Sequence, residues 1–184
     1  MKKLKQIALA VTIAGATLTA NIAKATPFVV DALSNSTTGG TGAATINLAL
    51  GQAFTVTVNP DDLWSAGTLP RWGNADGLTF NRFATGTDDS HEIVGTLIGI
   101  DHGLYTQGGL TAPGGSLVGQ IGGGDFFFVG TNFIGNAAVA GTLNLFYFDN
   151  FNSDNTEFIT ANVSASPNPK PTPCCSPGWA CSVS

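Results

Sequence analysis

The chain has 184 residues, with seven basic and twelve acidic side chains, three cysteines and only 10% charged residues. A net charge of −5, with no cluster of Lys or Arg beyond the N-terminus, excludes nucleic acid and anionic lipid surfaces as expected partners, because both need grouped cations. The length allows one domain with a closed core.

In chain order, Met1-Lys2-Lys3-Leu4-Lys5, an apolar run over residues 7–19 and Ala23-Lys24-Ala25 ahead of Thr26-Pro27 read as a secretory signal peptide covering residues 1–25. The apolar run is too short to cross a bilayer stably and no later run is longer, so no membrane span is expected. The expected location is the periplasm or the exterior. Cutting after Ala25 leaves 159 residues, three of them basic and twelve acidic, for a charge of −9.

Residues 26–42 hold one apolar run, Phe28-Val29-Val30, among Ser, Thr, Asn and Gly, which predicts a short first strand and then a loose loop. Residues 45–50 and 53–59 alternate, with Phe54, Val56 and Val58 on one face and Thr55 and Thr57 on the other, and predict a hairpin around Gly51-Gln52. Residues 63–77 make a long turn carrying Trp64, Arg71 and Trp72. Both tryptophans are expected to fill the end of the core, with Arg71 stacked on one of them, although exposed rings of this kind also serve as platforms for sugars. Asp88, Asp89, His91 and Glu92 lie close together but lack the spacing of a zinc site, and they read as a solvated loop.

Residues 93–100 predict a strand, and the polar loop after it offers Asp101, His102, Tyr105 and Gln107. Residues 112–122 form a glycine-bearing strand. Gly122-Gly123-Gly124 lacks the Lys of a phosphate loop and predicts a tight hairpin into residues 126–129. Residues 141–148 and 158–164 complete the strands. Short strands, glycine turns and no helical periodicity beyond the leader predict an all-β fold, a two-sheet antiparallel β-sandwich over residues 26–165.

The connection between those last two strands, Asp149-Asn150-Phe151-Asn152-Ser153-Asp154-Asn155-Thr156-Glu157, is nearly all oxygen. Asp149, Asp154, Asn155, neighbouring carbonyls and also Asn150 and Asn152 present the hard ligands of which calcium takes about six to eight. The same residue types build Asx turns on their own backbone, and spacing does not choose between the two. After Ala165, the prolines of residues 166–173 read as an extended linker. Cys174, Cys175 and Cys181 follow in a tail that reads as disordered. An odd trio there leaves a thiol over; a Cys175 to Cys181 bond or an intermolecular link is open, and incidental cysteines are the simpler reading.

Three features together resemble the calcium-dependent galactose-binding bacterial lectins of the PA-I type and the exported proteins with such domains. They are the turn from Trp64 to Trp72-Gly73, the run Gly115-Ser116-Leu117-Val118-Gly119-Gln120-Ile121-Gly122, and the terminal Leu145-Phe146-Tyr147-Phe148-Asp149 with Ser153-Asp154-Asn155-Thr156-Glu157-Phe158. The match covers roughly residues 51–164. It implies a galactose-binding-domain or jelly-roll-like sandwich with one calcium at its apex. By position, the implied metal ligands are Asp149, Asp154 and Asn155, with carbonyls of Asn152 and of the turn near Gly67. The implied carbohydrate contacts are Asp149, Asn150 and Asp154, with His102 and Gln107 from the nearest counterpart of a second sugar loop. This chain departs from the pattern in having Asp154 where the galactose lectin has Asn, and in a shorter loop.

Two functions are therefore expected in contention. One is a calcium-dependent carbohydrate-binding protein for extracellular or cell-surface glycans, with galactosides the implied class. The other is an exported structural or matrix protein of the same fold without sugar specificity. A homo-oligomer is the protein partnership to test for. No enzyme is expected, since the two histidines fall in loops with no Gly-x-Ser-x-Gly or comparable nucleophile setting.

Overall fold

The computed structural model describes residues 24–167. The expected leader, apart from Lys24 and Ala25, and the cysteine-bearing tail lie outside the described residues. Fourteen strands follow in order: β1 (Thr26–Asp31), β2 (Ala43–Leu48), β3 (Ala53–Val58), β4 (Trp64–Ser65), β5 (Trp72–Gly73), β6 (Arg82–Phe83), β7 (Leu97–Gly99), β8 (Leu104–Gln107), β9 (Leu110–Pro113), β10 (Ser116–Ile121), β11 (Phe126–Phe128), β12 (Asn132–Asn136), β13 (Gly141–Phe148) and β14 (Phe158–Ala165). No α-helix occurs among the described residues, and no helix there is long and apolar enough to cross a membrane.

Two four-stranded antiparallel sheets, in the orders β1-β14-β3-β12 and β11-β10-β13-β2, face each other, and three two-stranded ribbons cap them. The period-2 alternation does what it should. Phe54, Val56 and Val58 of β3 and Ile159, Ala161 and Val163 of β14 turn one way, against Leu117 and Ile121 of β10 and Leu143, Leu145 and Tyr147 of β13. Full burial of side chains this size is the main stabilising term, about 1.5 to 3 kcal/mol for each. The end of β13 is buried on both faces. Its outer residues Phe146 and Phe148 are covered by Phe126 and by the β8–β9 ribbon, with the Tyr105 ring stacked on Phe148 at 4.4 Å. That ribbon is thereby placed beside Asp149.

Three expectations are corrected. Residues 45–59 are no hairpin, because β2 pairs with β13 and β3 pairs with β14 and β12, in the other sheet. The turn at Gly51 carries the chain across the sandwich, and alternation fixes which face a strand buries but not which neighbour it bonds. The run over residues 93–100 keeps only β7; Ile93 is 81% exposed, and Gly95 at φ 86° bends the backbone out of any strand. The loop after β1 is not loose, since Asp31 Oδ1 accepts the Leu33 and Ser34 amides and the Ser34 hydroxyl. The hairpin at Gly122 is as expected, with β10 paired to β11.

Candidate functional site

β13 and β14 belong to different sheets, so residues 149–157 must cross the open end of the sandwich rather than turn tightly. A crossing of that kind leaves backbone polar groups at the rim, and each needs a partner. Two other loops supply them. The loop after β1 donates Thr37 N–H to the Tyr147 carbonyl at 2.9 Å, and the Thr38 hydroxyl to the Asp149 carbonyl at 2.7 Å. It also gives the Ala32 amide to the Glu157 carbonyl at 2.9 Å, while Asn155 Nδ2 donates to the Ala32 carbonyl at 3.0 Å. From the other side Ser65 and Thr156 exchange both backbone hydrogen bonds, at 3.0 and 3.1 Å.

This bracing fixes the side chains. Asn155 is only 3% exposed, yet its Oδ1 has no hydrogen-bond partner among the described residues, and neither has the buried Oδ1 of Asp154. Two orphaned oxygens on consecutive residues are costly, about 1 to 3 kcal/mol for each buried group left unpaired. Asp149 is half-buried. Burial pushes its carboxyl above the usual range and the charge of Asp154 adds to the rise, while the Asn155 carboxamide and the amides of Phe151 and Asn150 offset part of it.

Gly67 lies against Asp154: its φ of 113° favours glycine, and a Cβ on it would push the Asp154 carboxylate aside. The Gly67 carbonyl accepts the Ser65 hydroxyl at 2.7 Å. Asn152 gives its carbonyl to the Asn155 amide at 3.1 Å and its carboxamide N–H to the Leu33 carbonyl at 3.3 Å.

Beside the loop is a cavity of about 270 Å³ with Arg71, His102, Tyr105, Asp149, Asn150 and Phe151 in its wall. The structure thus brings Asp149, Asn150 and His102 to one cavity, while Asp154 meets its wall through Arg71 and neither Gly67 nor Asn155 lines it. Gln107 is turned away from it. Its carboxamide donates to Thr38 Oγ1 at 2.7 Å and its Oε1 lies 3.2 Å from Thr37 Oγ1, so it props the hydroxyls that hold Asp149.

Trp64 is fully buried as expected, edge-on to Tyr147 at 4.5 Å, and donates its indole N–H to the Gly115 carbonyl at 2.8 Å. Trp72 packs partly buried on a small cluster of Leu63, Ala84 and Ile98. Arg71 does not stack on either indole. It pairs instead with Asp154, Nη1 to Oδ2 at 3.6 Å, because the β4–β5 ribbon aims it at the crossing loop. Nothing in the sequence marks that pairing. The roles of Thr37 and Thr38 are equally hidden, though the Asp31-x-x-Ser34 spacing does signal an ordered turn ahead of them.

The donor set bears on which ion would suit the site. Asp154 Oδ1, Asn155 Oδ1 and the Asp149 carboxylate are all oxygen, and no group of three or more His, Cys, Asp or Glu gathers among the described residues. Carboxylate, carboxamide and carbonyl oxygens suit calcium, not the nitrogen and sulfur ligands zinc prefers.

No family model and no curated protein matches the sequence. Among solved structures, one matching chain is described as the EclA N-terminal domain, a PllA-like lectin, with 19% identity and a TM-score of 0.46 over 76% of this chain and 95% of that one. A likeness that distant carries no argument about what this chain binds.

Proposed function

We propose that this domain is an exported calcium-dependent carbohydrate-binding protein, recognising extracellular or cell-surface glycans by binding without turnover. The observation that supports it is the pair of buried, unpartnered Oδ1 atoms on Asp154 and Asn155, in the same loop as Asp149, which lines a cavity. Calcium would be held by Asp149, Asp154 and Asn155 with the carbonyls of Asn152 and Gly67, and when bound it supplies positive charge for two sugar hydroxyls to complete its oxygen shell. The chain's own residues do the rest. Phe151, 61% exposed, offers an apolar face to a sugar ring, while Asn150 and His102 offer polar contacts from the walls.

The test is thermal melting and calorimetric titration with calcium, then a glycan array with and without chelator. Melting should rise with calcium, by about 2.7 kcal/mol at one hundred times the dissociation constant, and magnesium should substitute poorly. Asp149→Asn should remove most of that response, yet melt no lower than wild type in chelator, because burial already works against the charge it deletes. Superimposable wild-type curves in calcium and chelator would make the loop a turn only.

A second reading, an exported structural or matrix protein with the same ion loop, draws on Gln107. The polar group that the resemblance assigns to sugar is committed to Thr38 and Thr37. Calcium stabilisation with no glycan retained on the array would decide for it.

A further inference from the structure

We infer that Arg71 sets the ligand class of this cavity, which prefers glycans bearing a carboxylate, such as uronic-acid residues, over neutral sugars. The inference rests on the calcium-dependent reading above and goes beyond it in naming the ligand's charge.

Arg71 is one of only three basic residues beyond the leader region, with Arg82 and Lys170. Arg82 is engaged elsewhere, over the Phe80 ring at 5.0 Å. Arg71 stands in the cavity wall, and its backbone is pinned. Its carbonyl accepts the Ala66 amide at 3.0 Å and it bridges to Gly99, so the half-exposed side chain starts from a fixed point in the cavity wall. The guanidinium is nevertheless far from saturated. One nitrogen donates to the Ala66 carbonyl at 3.3 Å, and the Asp154 pair at 3.6 Å is too long for a hydrogen bond, which leaves most of its five donors available.

The charge count around the cavity then decides the ligand. Asp149 and Asp154 outweigh Arg71 by one negative charge, so an anion is repelled. A divalent cation shared by the two carboxylates reverses that to an excess of one positive charge. It also takes the Asp154 charge that faces Arg71, and the planar fork of the guanidinium is matched to a carboxylate, which it can bind bidentately. The preference for an acidic sugar should therefore exist only in calcium, and should weaken as salt screens the half-exposed guanidinium.

The experiment is titration of the calcium-loaded protein with methyl galacturonide and methyl galactoside. Monomeric glycosides avoid the calcium that polyuronates bind for themselves. Wild type should bind the uronide on the order of tenfold more tightly, as a charge-assisted bidentate pair in a partly exposed site warrants. Arg71→Gln should bring the ratio close to one and Arg71→Lys should keep part of it. Arg82→Gln removes the same charge from the domain and should leave the ratio unchanged. Equal affinity in wild type, or a preference that survives Arg71→Gln, overturns the inference while leaving calcium-dependent sugar binding intact. Failure of both glycosides to bind in calcium overturns the inference, while the glycan array decides the carbohydrate-binding reading separately.

Discussion

Replacing Trp64 probes whether the base of the crossing loop is core or surface. The indole is fully buried, edge-on to Tyr147, and its N–H is shared between the Gly115 carbonyl at 2.8 Å and the Asn74 carbonyl at 3.3 Å. Trp64→Ala removes the whole ring from a site whose neighbours belong to both sheets and cannot collapse into the gap, so the cost should be about 3 to 5 kcal/mol. Trp64→Phe separates the contributions. It keeps most of the apolar burial and deletes the donor, leaving buried carbonyls short of a partner, for about 1 to 3 kcal/mol. At roughly 3 °C of melting shift per kcal/mol for a domain of this size, alanine should lower Tm by about 9 to 15 °C and phenylalanine by about 3 to 9 °C. Urea denaturation should give the same order with unchanged m-values, since the native fold is retained. A Trp64→Ala protein that melts with wild type but no longer binds calcium or sugar would refute the reasoning, because it would make the ring part of the binding surface.

Thr38→Val keeps shape and removes the hydroxyl that joins Asp149 to Gln107, and should cost about 1 to 2 kcal/mol while weakening the calcium response, read by melting with and without the ion. Asp88 gives a pH signature away from the site. Burial works against its charge, but hydrogen bonds from Ser90 and Thr85 outweigh that and hold the carboxyl down to about 2 from an ordinary 3.8. A depressed folded value means stability that is present above pH 3.8 and lost as pH falls toward 2, so Asp88→Asn should flatten the melting profile in that window; parallel profiles would contradict it. At the C-terminal end, the Ser166 amide donates to the Ala53 carbonyl at 2.9 Å and its carbonyl accepts Gln52 Nε2 at 2.6 Å. A chain ending at Pro167 should melt like the full chain, whereas one ending at Ala165 should lose about 1 to 2 kcal/mol.

Local patterns carried much of the fold and little of the pairing. The alternation of β3 and β14 announces one buried face, and the aromatic run at Phe146-Tyr147-Phe148 announces a strand, which the structure shows to be covered on both sides. Neither says what does the covering. That Tyr105 stacks on Phe148, and that β2 and β3 part into different sheets, depends on contacts far apart in sequence. The exposed Ile93 and Val94 show the opposite failure: an apolar run reads as a strand until a positive-φ glycine breaks it. At the site, the oxygen-rich loop was visible as composition, whereas the turn near Gly67 came only from the resemblance. Arg71 facing Asp154, and the two threonines holding Asp149, were not visible, because a single cation or hydroxyl acts through geometry and leaves no period or spacing behind.

The topology also explains why orphaned oxygens collect where they do. A hairpin between β13 and β14 would satisfy its own backbone through ladder bonds, but strands in opposite sheets cannot pair, so residues 149–157 depend on partners from outside. The loop after β1 and the segment around Trp64 satisfy the carbonyls of Asp149, Thr156 and Glu157, and the loop's own Asn155 amide satisfies that of Asn152. Once the main chain is held, the Asn155 side chain cannot swing out to water without breaking its bond to Ala32, and Asp154, partly exposed through the rest of its side chain, keeps its Oδ1 covered. Their Oδ1 atoms are therefore trapped, unpaired, next to a carboxylate that burial already disfavours. The Arg71 guanidinium approaches Asp154 Oδ2 only to 3.6 Å and leaves both Oδ1 atoms unpaired, and a second carboxylate deepens the deficit. A cation, the partner proposed above, would relieve all three oxygens at once, which is why the calcium titration tests the topology as well as the function.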